Sequence, residues 1–192
     1  MSSHFFAYMS RMKHIKRWSL MRNTWQEDIA QHSLQVAMIA HALAIYKNER
    51  FGGGANPERA ACLALYHEAP EVITGDLPTP IKYFSQDFRE AFGTIERLAA
   101  DRLLRTAPET LRPVLTPLIE SPESDPEWPR VKAADTLAAY IKCIEEERAG
   151  NREFSKAARE TLHKLLSYQM EEVGAFLEDC LPSFSLTLDE LD

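Results

Sequence analysis

The sequence contains no run approaching the ~20 consecutive apolar residues that a membrane-crossing helix requires, so no membrane partner is expected. Its opening, Met1-Ser-Ser-His-Phe-Phe6, has no basic segment followed by a long apolar one. That argues against a secretory leader and for a cytoplasmic chain. Cysteine is scarce and odd in number: Cys62, Cys143 and Cys180 lie far apart, without zinc-ribbon spacing. They read as reduced thiols, Cys62 and Cys143 within apolar helical runs. Positive charge is short as well. Against 29 Asp and Glu there are 22 Lys and Arg, a net charge of −7, which argues against a nucleic-acid partner. Glycine is rare, and three of the seven fall in the single loop Gly52-Gly-Gly54. No segment alternates apolar and polar residues with β-branched enrichment, which removes strands. No repeat or long linker divides the chain. An all-α fold in one domain, residues 1–192, is the expectation, and 192 residues are enough for a full core.

Helical periodicity and turn chemistry set the expected elements. An opening helix over 2–15 carries Phe5, Phe6, Met9 and Met12 on one face. A long Ala/Leu/Met-rich helix spans 30–48 and ends at Gly52-Gly-Gly54. A helix over 57–69 starts with Asn56 as N-cap and Pro57 in its first turn, and Pro70 bends or ends it. A loop, Thr74-Gly-Asp-Leu-Pro-Thr-Pro80, follows. A helix over 86–106 turns Phe88, Phe92, Ile95, Leu98 and Leu103 inward. A short helix covers 109–119, residues 121–126 form a loop, and helices cover 127–148 and 153–178. The tail Leu181–Asp192 reads as irregular.

The residues with the most chemical content are His67 and Glu68, at the end of an otherwise apolar helical stretch. An imidazole and two carboxylates, Glu68 and Glu71, crowded onto the end of a core helix are costly unless something positive binds them. At ~100° per residue, His67 and Glu71 lie ~40° apart and Glu68 lies ~100° from His67, a geometry for a cation at the helix flank. His32 stands at the start of another apolar helix. His41, further along it, is about half a turn out of phase and cannot share its metal. Asp135 lies mid-helix among Ala134, Leu137 and Ala138, a poor place for an aspartate; it reads as a metal ligand or as the partner of Lys132. Neutral imidazoles with carboxylates suit Mn, Co, Zn, Fe or Ni. With open positions such a site can activate water and hydrolyse a phosphate ester.

Two further features point to a substrate. The loop 74–80 is stiffened by two prolines, with Gly75 giving a bend, and holds Asp76 and Thr79 in a rigid frame. It reads as a substrate-positioning lip or as a cap for the next helix. Arg17-Trp18 ends a basic segment that includes Arg11, Lys13, Lys16 and, just beyond, Arg22. That cluster is either an anion site or a solvated helix face. Arg17 could grip a phosphate with two parallel bonds, and Trp18 could pack on a sugar or base.

At this point the chain resembles the bacterial 5′-deoxynucleotidases of the HD-domain phosphohydrolase superfamily over nearly its whole length. The strings that carry the resemblance are Ser3-His-Phe-Phe6, Arg17-Trp18, Leu20-Met-Arg-Asn23, His32-Ser-Leu-Gln-Val-Ala-Met38, Tyr66-His67, Glu71-Val72, Thr74-Gly-Asp-Leu-Pro-Thr-Pro80, Lys132 to Asp135, and Pro182-Ser-Phe184. The resemblance implies an HD-type helical bundle. It implies a divalent cation (Co, Mn, Zn, Ni or Fe) held by His32, His67, Glu68 and Asp135. Glu71 would be the catalytic acid or base. The deoxynucleotide would be bound by Arg17 at its phosphate, by Trp18 crowding the 2′ carbon, and by His32, Asp76 and Thr79. The reaction would convert a deoxyribonucleoside 5′-monophosphate to deoxynucleoside and phosphate, in a homodimer. Rival expectations are hydrolysis of a deoxynucleoside triphosphate or cyclic nucleotide, and a weakened nucleotide-binding protein. One position departs from the family: Glu68 follows His67 where the family has aspartate. Its stem is longer by one carbon–carbon bond, ~1.5 Å, so the backbone or rotamer must adjust to keep a ligand distance.

Overall fold

The computed structural model describes residues 2–82, 84–120 and 122–191; Ser121, from the expected loop 121–126, and the chain ends Met1 and Asp192 lie outside the described residues. Among those described, regular structure is helical, and the extended pairing is confined to an isolated antiparallel bridge between Lys16 and Asp28. The helices are α1 (Phe5–Met9), α2 (Ile29–Phe51), α3 (Pro57–Tyr66), α4 (Glu71–Thr74), α5 (Thr79–Lys82), α6 (Gln86–Arg105), α7 (Arg112–Ile119), α8 (Trp128–Arg148), α9 (Ser155–Ser167) and α10 (Glu171–Asp179).

The centre of the molecule is α2 packed against α3, α8 and α10. α2 starts where Asp28 closes a capping box, accepting from the amides of Ala30 and Gln31 while the Gln31 side chain returns to the Asp28 amide. It stops at Gly52, left-handed at φ 62, a conformation glycine adopts without a Cβ penalty. α3 starts as the sequence suggests, with the Asn56 side chain accepting from the Arg59 amide at 2.9 Å and Pro57 in the first turn. Leu43, Leu63, Leu137 and Ile141 are fully buried together; truncating one such residue to alanine costs about 2–5 kcal/mol. The small residues Ala133, Ala134 and Ala138 of α8 are also fully buried.

Several elements differ from the periodicity reading. The opening helix is a short α1 that tightens into a 3-10 turn, Ser10–His14; Phe5 and Met12 are buried, whereas Phe6 is exposed. α3 ends at Tyr66, four residues before Pro70, and Pro70 instead stands at the N-cap of α4. His67 and Glu71 therefore do not share one continuous helix, and their proximity comes from a tight turn. The loop after Thr74 is shorter than expected, because Thr79 already opens α5. α7 begins only at Arg112. The long helix expected over 153–178 is a 3-10 turn, then α9 and α10, broken at Gln169, which adopts φ 54. That break lets Leu165 on one helix and Val173 and Phe176 on the next face the same core. The tail holds 3-10 turns at Leu181–Ser185 and Leu188–Glu190. In α6, Leu103 is buried as expected, but Phe88, Ile95 and Leu98 are exposed and Phe92 is half-buried. The core contacts of α6 come from Ala99, Ala100, Leu103 and Leu104 near its end. Periodicity identified an apolar stripe there; it could not say that the helix leaves the core.

Candidate metal centre

His32 lies in the first turn of α2, His67 and Glu68 directly follow α3, and Asp135 sits in α8. Each offers a donor atom, and the four donors lie within 4.8 Å of one another. Among the described residues this is the group of metal-capable side chains that converges. Its members meet because α2, α8 and the turn after α3 belong to the mutually packed centre of the bundle.

The side chains of this group are held by their neighbours. His67 donates its Nδ1–H to the Ala64 carbonyl at 2.6 Å. A carbonyl can only accept, so this bond places a proton on Nδ1 and leaves Nε2 as the nitrogen a metal could use. That Nε2 is buried and has no hydrogen-bond partner; it stands 3.3 Å from Glu68 Oε1 without the geometry of a bond. His32 is fully buried, its Nε2 3.1 Å from Asp135 Oδ1 and its Nδ1 unpartnered. The two rings tilt against each other with centroids 5.4 Å apart. Asp135 Oδ2 accepts from Lys132 at 3.1 Å, so the aspartate pairs with the lysine while its other oxygen faces His32 in the cluster.

The charges suit a divalent cation. Burial alone would raise the Glu68 carboxyl, but His67 beside it and Arg17 outweigh that and hold it well below the usual carboxylate range. Burial likewise opposes ionisation of Asp135, and Lys132 and His32 hold it well below its ordinary value. Burial, then Arg17, lowers His32, which favours the neutral imidazole a metal needs. Two ionised carboxylates, a buried imidazole nitrogen with no hydrogen-bond partner and a second imidazole held toward its neutral form make a donor set that fits a 2+ ion.

Glu71 lies beside this group at 3% exposure. Its Oε1 accepts from Lys82 at 3.2 Å, and its Oε2 meets no donor. Burial and then the charge of Glu68 push its carboxyl up to about 10, so the pair shares a proton that resides on Glu71. Above the cluster opens a cleft of about 600 Å³, lined among others by Arg17, Trp18, Glu68, Asp76, Thr79 and Asp135. That volume is in the range of small-molecule sites, ~300–1,000 Å³. Burial raises Asp76 against the pull of Arg17 and Lys82. The guanidinium of Arg17 is lowered by burial but raised more by Glu68 and Glu27, and its terminal nitrogen stands 3.7 Å from Glu68 Oε1.

The expected site residues thus fall into two layers. Arg17, Trp18, Glu68, Asp76, Thr79 and Asp135 line the cleft, whereas His32, His67 and Glu71 are not among its lining and are buried beside the same cluster. The basic segment does not act as one cluster: Lys16 pairs with Asp28, Arg22 with Glu153, and Arg11 and Lys13 are exposed. Arg17 alone of the five lines the cleft. Sequence reasoning missed Glu27, which binds both Arg17 and Trp18, and Lys82, which binds Glu71. Neither carries a local signal: Glu27 is one more acid before an N-cap, and Lys82 an ordinary base in a short helix.

Comparison with known proteins gives three findings. A family model described as 5′-deoxynucleotidase YfbR-like matches residues 4–184. The 5′-deoxynucleotidases YfbR of Shigella dysenteriae serotype 1 and Escherichia coli strain K12 / DH10B are each 51% identical over 190 residues, 98% of this chain and 96% of the relative. Among solved structures, an HD-domain phosphohydrolase from Listeria innocua superposes with a TM-score of 0.82 at 25% identity, covering 94% of this chain and 88% of that one. The cyanophage S-2L HD phosphohydrolase DatZ, bound to dA and one catalytic zinc ion, superposes at 0.62 with 18% identity over 90% and 93% of the two chains, a likeness of fold.

Proposed function

The chain belongs to the 5′-deoxynucleotidase YfbR-like family, with the fold of the HD-domain phosphohydrolases, and on that premise we propose that it is a metal-dependent 5′-deoxynucleotidase. It hydrolyses deoxyribonucleoside 5′-monophosphates to deoxynucleoside and phosphate. The observation that carries the reading is the convergence of His32, His67, Glu68 and Asp135 beside a cleft walled by Arg17 and Trp18.

The four donors would hold a divalent cation, drawn from Co, Mn, Zn, Ni or Fe. When bound it supplies Lewis acidity at the phosphoryl oxygens and acidifies water. Arg17 grips the phosphate and takes up the charge that builds on it. The indole of Trp18 fills the space beside the sugar's 2′ carbon, so a 2′-hydroxyl fits badly. Asp76 and Thr79, on the rigid lip before and at the start of α5, hold the sugar and phosphate edge. His32, fully buried and off the cleft lining, contributes as a ligand, and its place among the substrate-binding residues rests on the family resemblance. Glu71 holds a proton in a buried carboxyl and delivers it to the departing 5′ oxygen, or orients the water that replaces it. Lys82 steadies Glu71.

The same reading places the domain over residues 1–192, in the cytoplasm, as a homodimer. No helix of the described chain is long and apolar enough to cross a membrane. The exposed Phe88, Ile95 and Leu98 of α6 and exposed Phe6 supply apolar surface of the kind a subunit contact would use. Phe5 is fully buried and belongs to the core.

The test is a phosphate-release screen of matched deoxyribo- and ribonucleoside monophosphates with Mn, Co, Zn and Mg. Deoxy substrates should release free phosphate much faster. Equal rates for both sugars discard the Trp18 filter, and tripolyphosphate release from a deoxynucleoside triphosphate moves the substrate to another class.

A further inference from the structure

Trp18 is held in an unusual way. Its backbone lies at φ 56, in the left-handed region that costs a non-glycine residue about 1–2 kcal/mol. Such a conformation persists only where surroundings over-determine it. Three contacts do so here: the Trp18 carbonyl accepts from the Met21 amide at 2.9 Å and from Asn23 Nδ2 at 3.2 Å, and the indole packs on Phe154 at 5.3 Å. A fourth fixes the tip of the ring. The indole Nε1–H donates to Glu27 Oε2 at 3.1 Å. The same oxygen accepts from Arg17 Nε at 2.9 Å. Glu27 is 7% exposed, its carbonyl accepts the Arg17 amide at 3.1 Å, and its neighbour Asp28 caps α2. One carboxylate, anchored at the start of the central helix, thus sets the angle of both side chains that wall the cleft.

We propose that Glu27 is the positioning residue for sugar selection. Through a single oxygen it orients the Trp18 indole against the 2′ carbon. It also occupies Arg17 Nε, leaving the terminal guanidinium nitrogens for the phosphate. The inference rests on the sugar filter assigned to Trp18 above. A displaced ring of this kind can change rates by ~10²-fold for a 1 Å shift, so the quantity to measure is the ratio of kcat/KM for a deoxyribonucleotide to that for its ribonucleotide.

The experiment measures that ratio, with separate kcat and KM, for the wild type and for Glu27→Ala, Glu27→Asp and Glu27→Gln, alongside each melting temperature. Alanine removes the oxygen, and aspartate keeps the charge but retracts it by about 1.5 Å. Both should lower the ratio at least about tenfold. Glutamine, of equal length and still an acceptor, should keep it within about threefold. If the alanine variant does not fold, the aspartate variant carries the same comparison. In a Trp18→Phe background, which has no indole N–H, Glu27→Ala should leave the ratio where it is while still raising KM through Arg17. A wild-type ratio near one overturns both the filter and this inference. A high wild-type ratio that alanine and aspartate leave intact, a glutamine variant that fails to restore it, or an undiminished effect in the Phe background overturns the inference alone.

Discussion

Lys82 Nζ stands 3.2 Å from Oε1 of Glu71, and the other oxygen of Glu71 is buried with no donor to meet. The glutamate is thus gripped on one side and left free to carry a proton on the other. Burial and the neighbouring charge make that proton hard to lose. A carboxyl kept protonated at neutral pH is what a departing alkoxide oxygen needs.

Glu71→Ala is therefore expected to bind nucleotide with KM little changed and to lose ~10²–10⁴ in kcat, the usual worth of a positioned acid or base. Steady-state kinetics with a binding titration on the same preparation checks this. Unchanged turnover removes Glu71 from the reaction.

Cation binding should stabilise the fold, since Glu68 and Asp135 bring two negative charges to one converging group. A cation at ~100 times its dissociation constant adds about 2.7 kcal/mol. For a chain of this size that raises the melting temperature by roughly 5–10 °C. The measurement is a thermal melt of chelator-stripped protein with and without Mn, Co, Zn, Ni or Fe. His67→Ala, which removes a buried nitrogen that has no hydrogen-bond partner, should abolish the shift. A melt indifferent to every one of these ions would contradict the metal centre.

The segment bearing Arg17 and Trp18 is tied to α8 through Glu146. This carboxylate is 1% exposed and accepts from Lys142, from the amides of Thr24 and Trp25, from the Thr24 hydroxyl and from Asn151; Lys142 in turn donates to the Trp25 carbonyl. Burial opposes its charge, but the lysine and the other donors lower it to about 2, from an ordinary 4.5. A lowered folded-state value means that the unfolded chain binds the proton first, so this contribution is full above pH ~4.5 and is lost as pH falls toward ~2, amounting to about 3 kcal/mol. Glu146→Gln should therefore show its largest loss of stability in urea at pH 6, with the gap to wild type narrowing toward pH 3. A gap constant with pH would show that the carboxylate's charge is not what holds this segment.

The amino-acid sequence by itself determined the helical class, the caps at Asn56 and Gly52, and which side chains could serve a metal by their chemistry. These depend on periodicity, on local hydrogen bonds and on residue chemistry, all of which are written within a few residues of one another. The strings around Arg17, His32, His67 and the 74–80 loop also carried the family. Tertiary structure alone decided that α3 stops at Tyr66 and that Gln169 breaks the last helix. It decided that the apolar stripe of α6 stays largely in the open. It also brought Glu27 under Arg17 and Trp18, Lys82 against Glu71, and Glu146 under residues 24 and 25. The physical reason is common to all of these. A side chain's own sequence neighbourhood says which bonds it can make, but which distant group stands in reach is fixed only when α2, α3 and α8 pack and their buried charges must find partners.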